Sequence, residues 1–125
     1  MSLKIFSLVL ISVALSALAQ IALKFGMASA AIQRAMDTER WIDIGHATLI
    51  NPYILGGLGV YGLSVATWLL VLARVDVSVA YPFVGLGFIL TMFLGALLLH
   101  EPVGALRIVG TLLVAVGVVC IAQSS

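Results

Sequence analysis

The stretch VSVAYPFVGLGFILTMFLGALLL, Val77–Leu99, runs for 23 residues without a charge. The hydrocarbon core of a bilayer is roughly 30 Å thick and takes about 20 apolar residues in helical form, so this stretch is long enough to cross it. Three others match it. Ile5–Leu23 is 19 residues without a charge, Pro52–Ala73 is 22, and Val103–Ala122 is 20 with Arg107 as its one charge. Inside lipid each backbone N–H and C=O is satisfied within its own segment, which makes these spans helices. The alternating strands of about ten residues that mark a membrane barrel are missing. The expected fold is an all-α membrane protein, one antiparallel four-transmembrane-helix bundle with spans at about 5–23, 52–73, 77–99 and 103–122.

Composition points the same way. The 125 residues are 63% hydrophobic and 9% charged, with a net charge of +1. A soluble domain averages about 45–50% apolar and about 25% charged. A solvated enzyme surface and a basic nucleic-acid patch are both excluded. Cys120 is the single cysteine, which rules out an internal disulfide framework or a thiolate metal cage. Lys4, the apolar run after it and Ala17-Leu18-Ala19 also fit a cleavable signal peptide. The run continues to Leu23, however, which favours a span.

The connections differ in kind. Arg74-Val75-Asp76 and His100-Glu101-Pro102 are tight turns, which make their neighbouring spans antiparallel. The longer loop 25–51 holds Arg34, Asp37, Glu39, Arg40 and Asp43. Its segment Ala28–Met36 fits a helical turn or two at the membrane surface, with Trp41 as an interfacial anchor, or else a solvated loop. Lys4 and Arg74 lie on one side of the membrane, and Lys24, Arg34, Arg40 and Arg107 on the other. The Lys/Arg rule assigns the long loop to the cytoplasm and both termini outside. The margin is thin enough to suit dual insertion.

Polar groups at membrane depth are costly unless they face protein or water. Ser12, Ser16, Gln20 and Lys24 recur every fourth residue along one slowly rotating helix face. Either the serines serve helix packing, or the stripe lines a polar path with Lys24 at its mouth to hold an anion. Gly56, Gly59 and Gly62 make a strip for close packing. Trp68 is an interfacial aromatic or one wall of a groove. In the third span Pro82 lacks a donor and its ring clashes with the Ser78 carbonyl. With Gly85 and Gly87 next to it, Tyr81-Pro82 marks either a static kink or a hinge of the kind transporters flex. Glu101, ahead of Pro102, suits the N-terminal dipole of the fourth helix. Arg107, five positions into its span, is a phosphate-binding candidate if it faces a cavity. Gly110 and Gly117 mark a seam that joins two protomers. No nucleophile–base pair, phosphate loop or His/Cys metal spacing occurs, so neither catalysis, a cofactor nor a metal is expected.

Four helices, the Gln20-x3-Lys24 pair and Ala80-Tyr81-Pro82 resemble the drug/metabolite transporter superfamily at its small-multidrug-resistance-like, EamA-type end. Trp68-Leu69-Leu70-Val71-Leu72, Ala80-Tyr81-Pro82 and His100-Glu101-Pro102-Val103 most resemble the aminoarabinose-phosphoundecaprenol flippase subunits of lipid A modification. The resemblance covers nearly the whole chain outside the long loop. It implies a multi-pass protein of the inner (plasma) membrane that moves a lipid-linked sugar phosphate, working as a homodimer or with a related small subunit. Ser12, Ser16, Gln20, Lys24, Trp68, Tyr81, Glu101 and Arg107 are then the expected substrate path. Small multidrug exporters carry a glutamate on the first helix about two turns before a lysine. Ser16 stands at that offset here, which removes the usual counter-ion for a cationic drug. An amine, drug or polyamine exporter using Glu101, and a non-transporting scaffold or accessory subunit, are the rival readings.

Overall fold

The computed structural model describes residues 2–124. All regular structure among them is helical: α1 (Leu3–Met27), α2 (Ala30–Asp37), α3 (Trp41–Leu49), α4 (Pro52–Leu72), α5 (Val77–Ala80), a 3-10 turn (Tyr81–Phe83), α6 (Val84–Leu98) and α7 (Ala105–Ser124). α1, α4, the broken helix Val77–Leu98 and α7 are long and apolar enough to cross a membrane.

Local chemistry sets the element ends. Ser2 caps α1 by accepting from the Ile5 amide, and Asn51 caps α4 by accepting from Tyr53 and Ile54. Both satisfy amides that have no partner within their own helix. Asn51 also donates to the Gly26 carbonyl and to Ser29 Oγ, pinning the end of α1, the start of α2 and the start of α4 together. At the far end of α6, His100 takes a left-handed conformation (φ 55°), and the Glu101 amide donates to the Gly95 carbonyl. The chain stays non-helical from there to Gly104. The fourth span therefore starts at Ala105, two residues later than its hydropathy suggests.

α1 is the hub. It packs along most of α4 and along α6, while α4 and α6 scarcely touch one another. At the α1–α4 crossing Ser12 Oγ donates to the Ser64 carbonyl at 2.9 Å and Ser64 Oγ donates to the Ser12 carbonyl at 2.8 Å. Both serines are buried. Nearer the start of α1 the core gathers Val9, Val13, Val71, Ala80, Phe83 and Val118. Phe6 meets Phe83 edge to face there, with ring centroids 6.3 Å apart. α7 packs mainly on α6 and the 3-10 turn and is the most exposed span.

The glycine strip of α4 is a correction. Gly56, Gly59 and Gly62 point away from the bundle, and a Cβ on any of them would meet nothing within 4 Å. The close approach uses Gly57, where a Cβ would lie 2.9 Å from Leu23 Cδ2 and 3.2 Å from the Leu23 backbone nitrogen. Gly57 stands about 100° round the helix from Gly56, and a run of glycines on one face does not say which face of the helix meets its neighbour. Overpacking at a tight contact costs about 1–3 kcal/mol. Gly57→Leu is therefore expected to destabilise the bundle by that amount. Gly62→Leu should stay within about 0.5 kcal/mol of wild type, as surface substitutions usually do. Reversible unfolding in mixed micelles reads both, and equal effects would contradict the assigned face.

Candidate functional site

Because α4 and α6 both lean on α1 and scarcely touch one another, they leave a cleft of about 520 Å³ between them, open on the flank where Tyr61, Val65 and Phe88 are exposed. α1 contributes Ser12, Ser16 and Gln20, α4 contributes Tyr61, Ser64 and Trp68, and the third span contributes Tyr81, Gly87, Phe88 and Thr91. The break at Tyr81–Phe83 turns the Tyr81 ring into this wall. Missing a donor at Pro82, the helix tightens there to a single 3-10 turn. Across the α1–α6 contact lies a second, wholly apolar groove along Leu10, Ala14, Leu86 and Phe93. Val13 borders both, opposite Gly87.

The polar groups of the cleft fall into two sets. Ser12 and Ser64 are spent on each other, and Thr91 Oγ1 donates to the Gly87 carbonyl of its own helix at 2.8 Å. Among the described residues, the side chains of Ser16, Gln20, Tyr61, Trp68 and Tyr81 make no hydrogen bond. They offer two phenols, an indole N–H, an amide and a hydroxyl, framed by aromatic faces. None of the lining residues is an acid, a lysine, an arginine or a histidine. Such a surface suits a hydroxyl-rich or aminated ring, with stacking, hydrogen bonds and cation–π attraction available.

Five of the eight expected path residues therefore share one cleft: Ser12, Ser16, Gln20, Trp68 and Tyr81. The other three do not line it. Lys24 is exposed beyond Gln20 at the end of α1. Steps of four residues turn the helix by about 40° each, so three steps carry Lys24 well off the Ser12 face. Arg107 falls in the first turn of α7, where its guanidinium donates to the Pro102 carbonyl at 2.7 Å. Its depth in the span is overestimated because the helix starts at Ala105. Glu101 lies against the last turn of α6, its carboxylate 2.9 Å from where a Cβ on Gly95 would sit. It does not cap α7. Of the proposed hinge glycines, Gly87 borders the cleft, and Gly85 faces α7, where a Cβ would sit 2.7 Å from Val114. Gly110 and Gly117 face outward from α7 with nothing within 4 Å of a Cβ.

Sequence reasoning missed Tyr61, Ser64, Phe88 and Thr91. A signal for the α4 set was present: Tyr61, Ser64 and Trp68 stand at i, i+3 and i+7, one helical face. Among the described residues no group of three or more His, Cys, Asp or Glu is placed to hold a metal.

Relatives of this chain are known. A protein of Pseudomonas savastanoi pv. phaseolicola, named "Probable 4-amino-4-deoxy-L-arabinose-phosphoundecaprenol flippase subunit ArnE", is 39% identical over 72 residues, 58% of this chain and 63% of its own, so just under two thirds of that protein is spanned. The protein of the same name from Pseudomonas aeruginosa is 33% identical over 98 residues, 75% of this chain and 85% of its own. An ArnF subunit of Shewanella sediminis is 31% identical over 121 residues, 90% of this chain and 83% of its own. No protein-family model and no solved structure matches the chain. The resemblance read from Trp68–Leu72, Ala80-Tyr81-Pro82 and His100–Val103 is borne out at the family level. With that identity over most of its length and four spans, this multi-pass membrane protein belongs to the aminoarabinose-phosphoundecaprenol flippase subunits.

Proposed function

We propose that the chain is one subunit of an inner-membrane flippase for a polyprenyl-phosphate-linked amino sugar, acting with a related small subunit and without catalysis. The observation that carries this reading is the uncharged, aromatic, laterally open cleft between α1, α4 and α6. A sugar crossing a bilayer forfeits its hydrogen bonds to water, and each buried polar group left unpaired costs several kcal/mol at most and about 1 at least. Ser16, Gln20, Tyr61, Trp68 and Tyr81 supply replacement partners along the way. The sideways opening lets the polyprenyl tail stay in lipid while the ring passes.

The phosphate fits a different place. No cation lines the cleft, and a buried unpaired phosphate is far costlier than a hydroxyl. Lys24 and Arg107 sit at span ends on the same side of the bundle as Gln20, where they meet a phosphate at the interface. An exporter of amines driven by carboxylate titration gains nothing from this cleft, because Glu101 lies outside it.

Reconstitution with the partner subunit in liposomes carrying labelled lipid-linked amino sugar tests the proposal. Gln20→Ala and Trp68→Ala are each expected to slow transfer about tenfold, equivalent to about 1.4 kcal/mol in the barrier. Transfer at the protein-free rate by folded protein would reject the flippase reading. Silence of both substitutions in a working flippase would move the sugar path elsewhere. A second expectation concerns the amine. Acetylating it removes a cation–π contribution of about 0.5–2 kcal/mol, so competition by the acetylated lipid should weaken several-fold. Equal competition would remove the aromatic wall from amine recognition.

A further inference from the structure

The connection between α1 and α4 takes no part in the cleft, yet it is built, with α2 and α3 packed against each other. Ile32 and Ala35 of α2 are buried, whereas α3 buries no residue. Trp41, Ile42, Leu49 and Ile50 are 85, 78, 68 and 62% exposed. Four large apolar side chains on and around one nine-residue helix are a poor surface for water. The base of this unit is fixed, because Asn51 holds the end of α1, Ser29 and the start of α4 together. α3 leads within three residues into a membrane span, so its apolar side chains begin where the bilayer surface begins.

Charge does not direct this unit to a particular lipid. Residues 28–51 hold Arg34 and Arg40 against Asp37, Glu39 and Asp43, and Arg40 already pairs with Asp43 at 3.7 Å. Attraction to anionic headgroups requires an excess of Lys and Arg, which is absent. Apolar insertion remains, the way interfacial helices seat Trp and Leu at the headgroup–acyl boundary. We propose that α3 lies in the headgroup zone of the bilayer, its Trp41, Ile42 and Leu49 side chains inserted, as a lipid-surface contact that depends on apolar burial and not on anionic lipid.

The test uses the full chain in phosphatidylcholine vesicles. Trp41 and Trp68 are its two tryptophans, so Trp68→Phe, checked for native helix content, leaves Trp41 as the sole emitter. Lipids brominated near the headgroup should quench Trp41 about twice as strongly as lipids brominated near the bilayer centre, the depth at which interfacial tryptophans sit. Adding anionic lipid, or about 1 M salt, which shortens screening to about 3 Å, should change neither the quenching nor the emission maximum. A second reading leaves Trp68 in place. In a Cys120→Ser background, Ile42→Cys should react with a water-soluble maleimide at least about tenfold more slowly than Asp37→Cys, as expected for a site buried at the interface. Emission unaffected by either brominated lipid, or equal labelling of the two cysteines, would overturn the proposal. So would emission that shifts with protein density alone, which assigns the face to a second copy. Quenching that requires anionic lipid would replace apolar insertion with headgroup recognition.

Discussion

Two hydroxyls hold the crossing on which the rest of the bundle depends. Ser12 and Ser64 each give their proton to the other's carbonyl, so each hydroxyl serves its partner helix within the buried crossing. In lipid a helix pair gains little from apolar burial alone, because the solvent is as apolar as the side chains; small residues and interhelical hydrogen bonds do the joining, at about 0.6 kcal/mol per bond on average. Gly57 and Gly26 extend the same logic toward Asn51, where α1 and α4 come close enough to exclude a Cβ. The α1–α4 pair is thereby fixed from the middle of the membrane to one surface.

The cleft is a consequence of that pairing. With α4 committed to α1, α6 packs on another side of α1, and the broken turn Tyr81–Phe83 sets its angle of departure. What is left between α4 and α6 is an open flank where Ser16, Gln20, Tyr61, Trp68 and Tyr81 keep polar groups that neither helix pair uses. The neutrality of that flank separates two tasks. Uncharged groups line the cleft that the proposed flippase reading gives to the sugar ring. Charged groups stay at the span ends, where water lowers the cost of keeping them ionised.

Part of this was legible in the sequence and part was not. Charge-free runs of about 20 residues fixed the number and type of elements, since hydrocarbon permits no other solution. The stripe Ser12-Ser16-Gln20 was legible because polar residues in lipid must face something, and Tyr81-Pro82 because proline breaks the hydrogen-bond ladder wherever it falls. Lys24, read as the mouth of the stripe, stands exposed beyond Gln20 and outside the cleft lining, because the face rotates by about 40° every four residues. Arg107 was read too deep, because the left-handed His100 and the irregular residues before Ala105 are backbone facts that hydropathy does not carry. Phe88 and Thr91 were invisible for another reason. Which face of the third span looks at α1 depends on how the helices are rotated against one another, and no single-helix pattern encodes that.

The central claim is that the sugar travels between α1, α4 and α6. Photocrosslinking tests it most directly, with a diazirine on the sugar ring of the lipid-linked substrate and peptide mapping of the adducts in reconstituted protein. The account predicts adducts on Ser16, Tyr61 and Phe88, the walls of one cleft contributed by three helices. Adducts confined to the outer face of α7, at Leu112 and Leu113, would contradict it and move the path to the far side of the bundle.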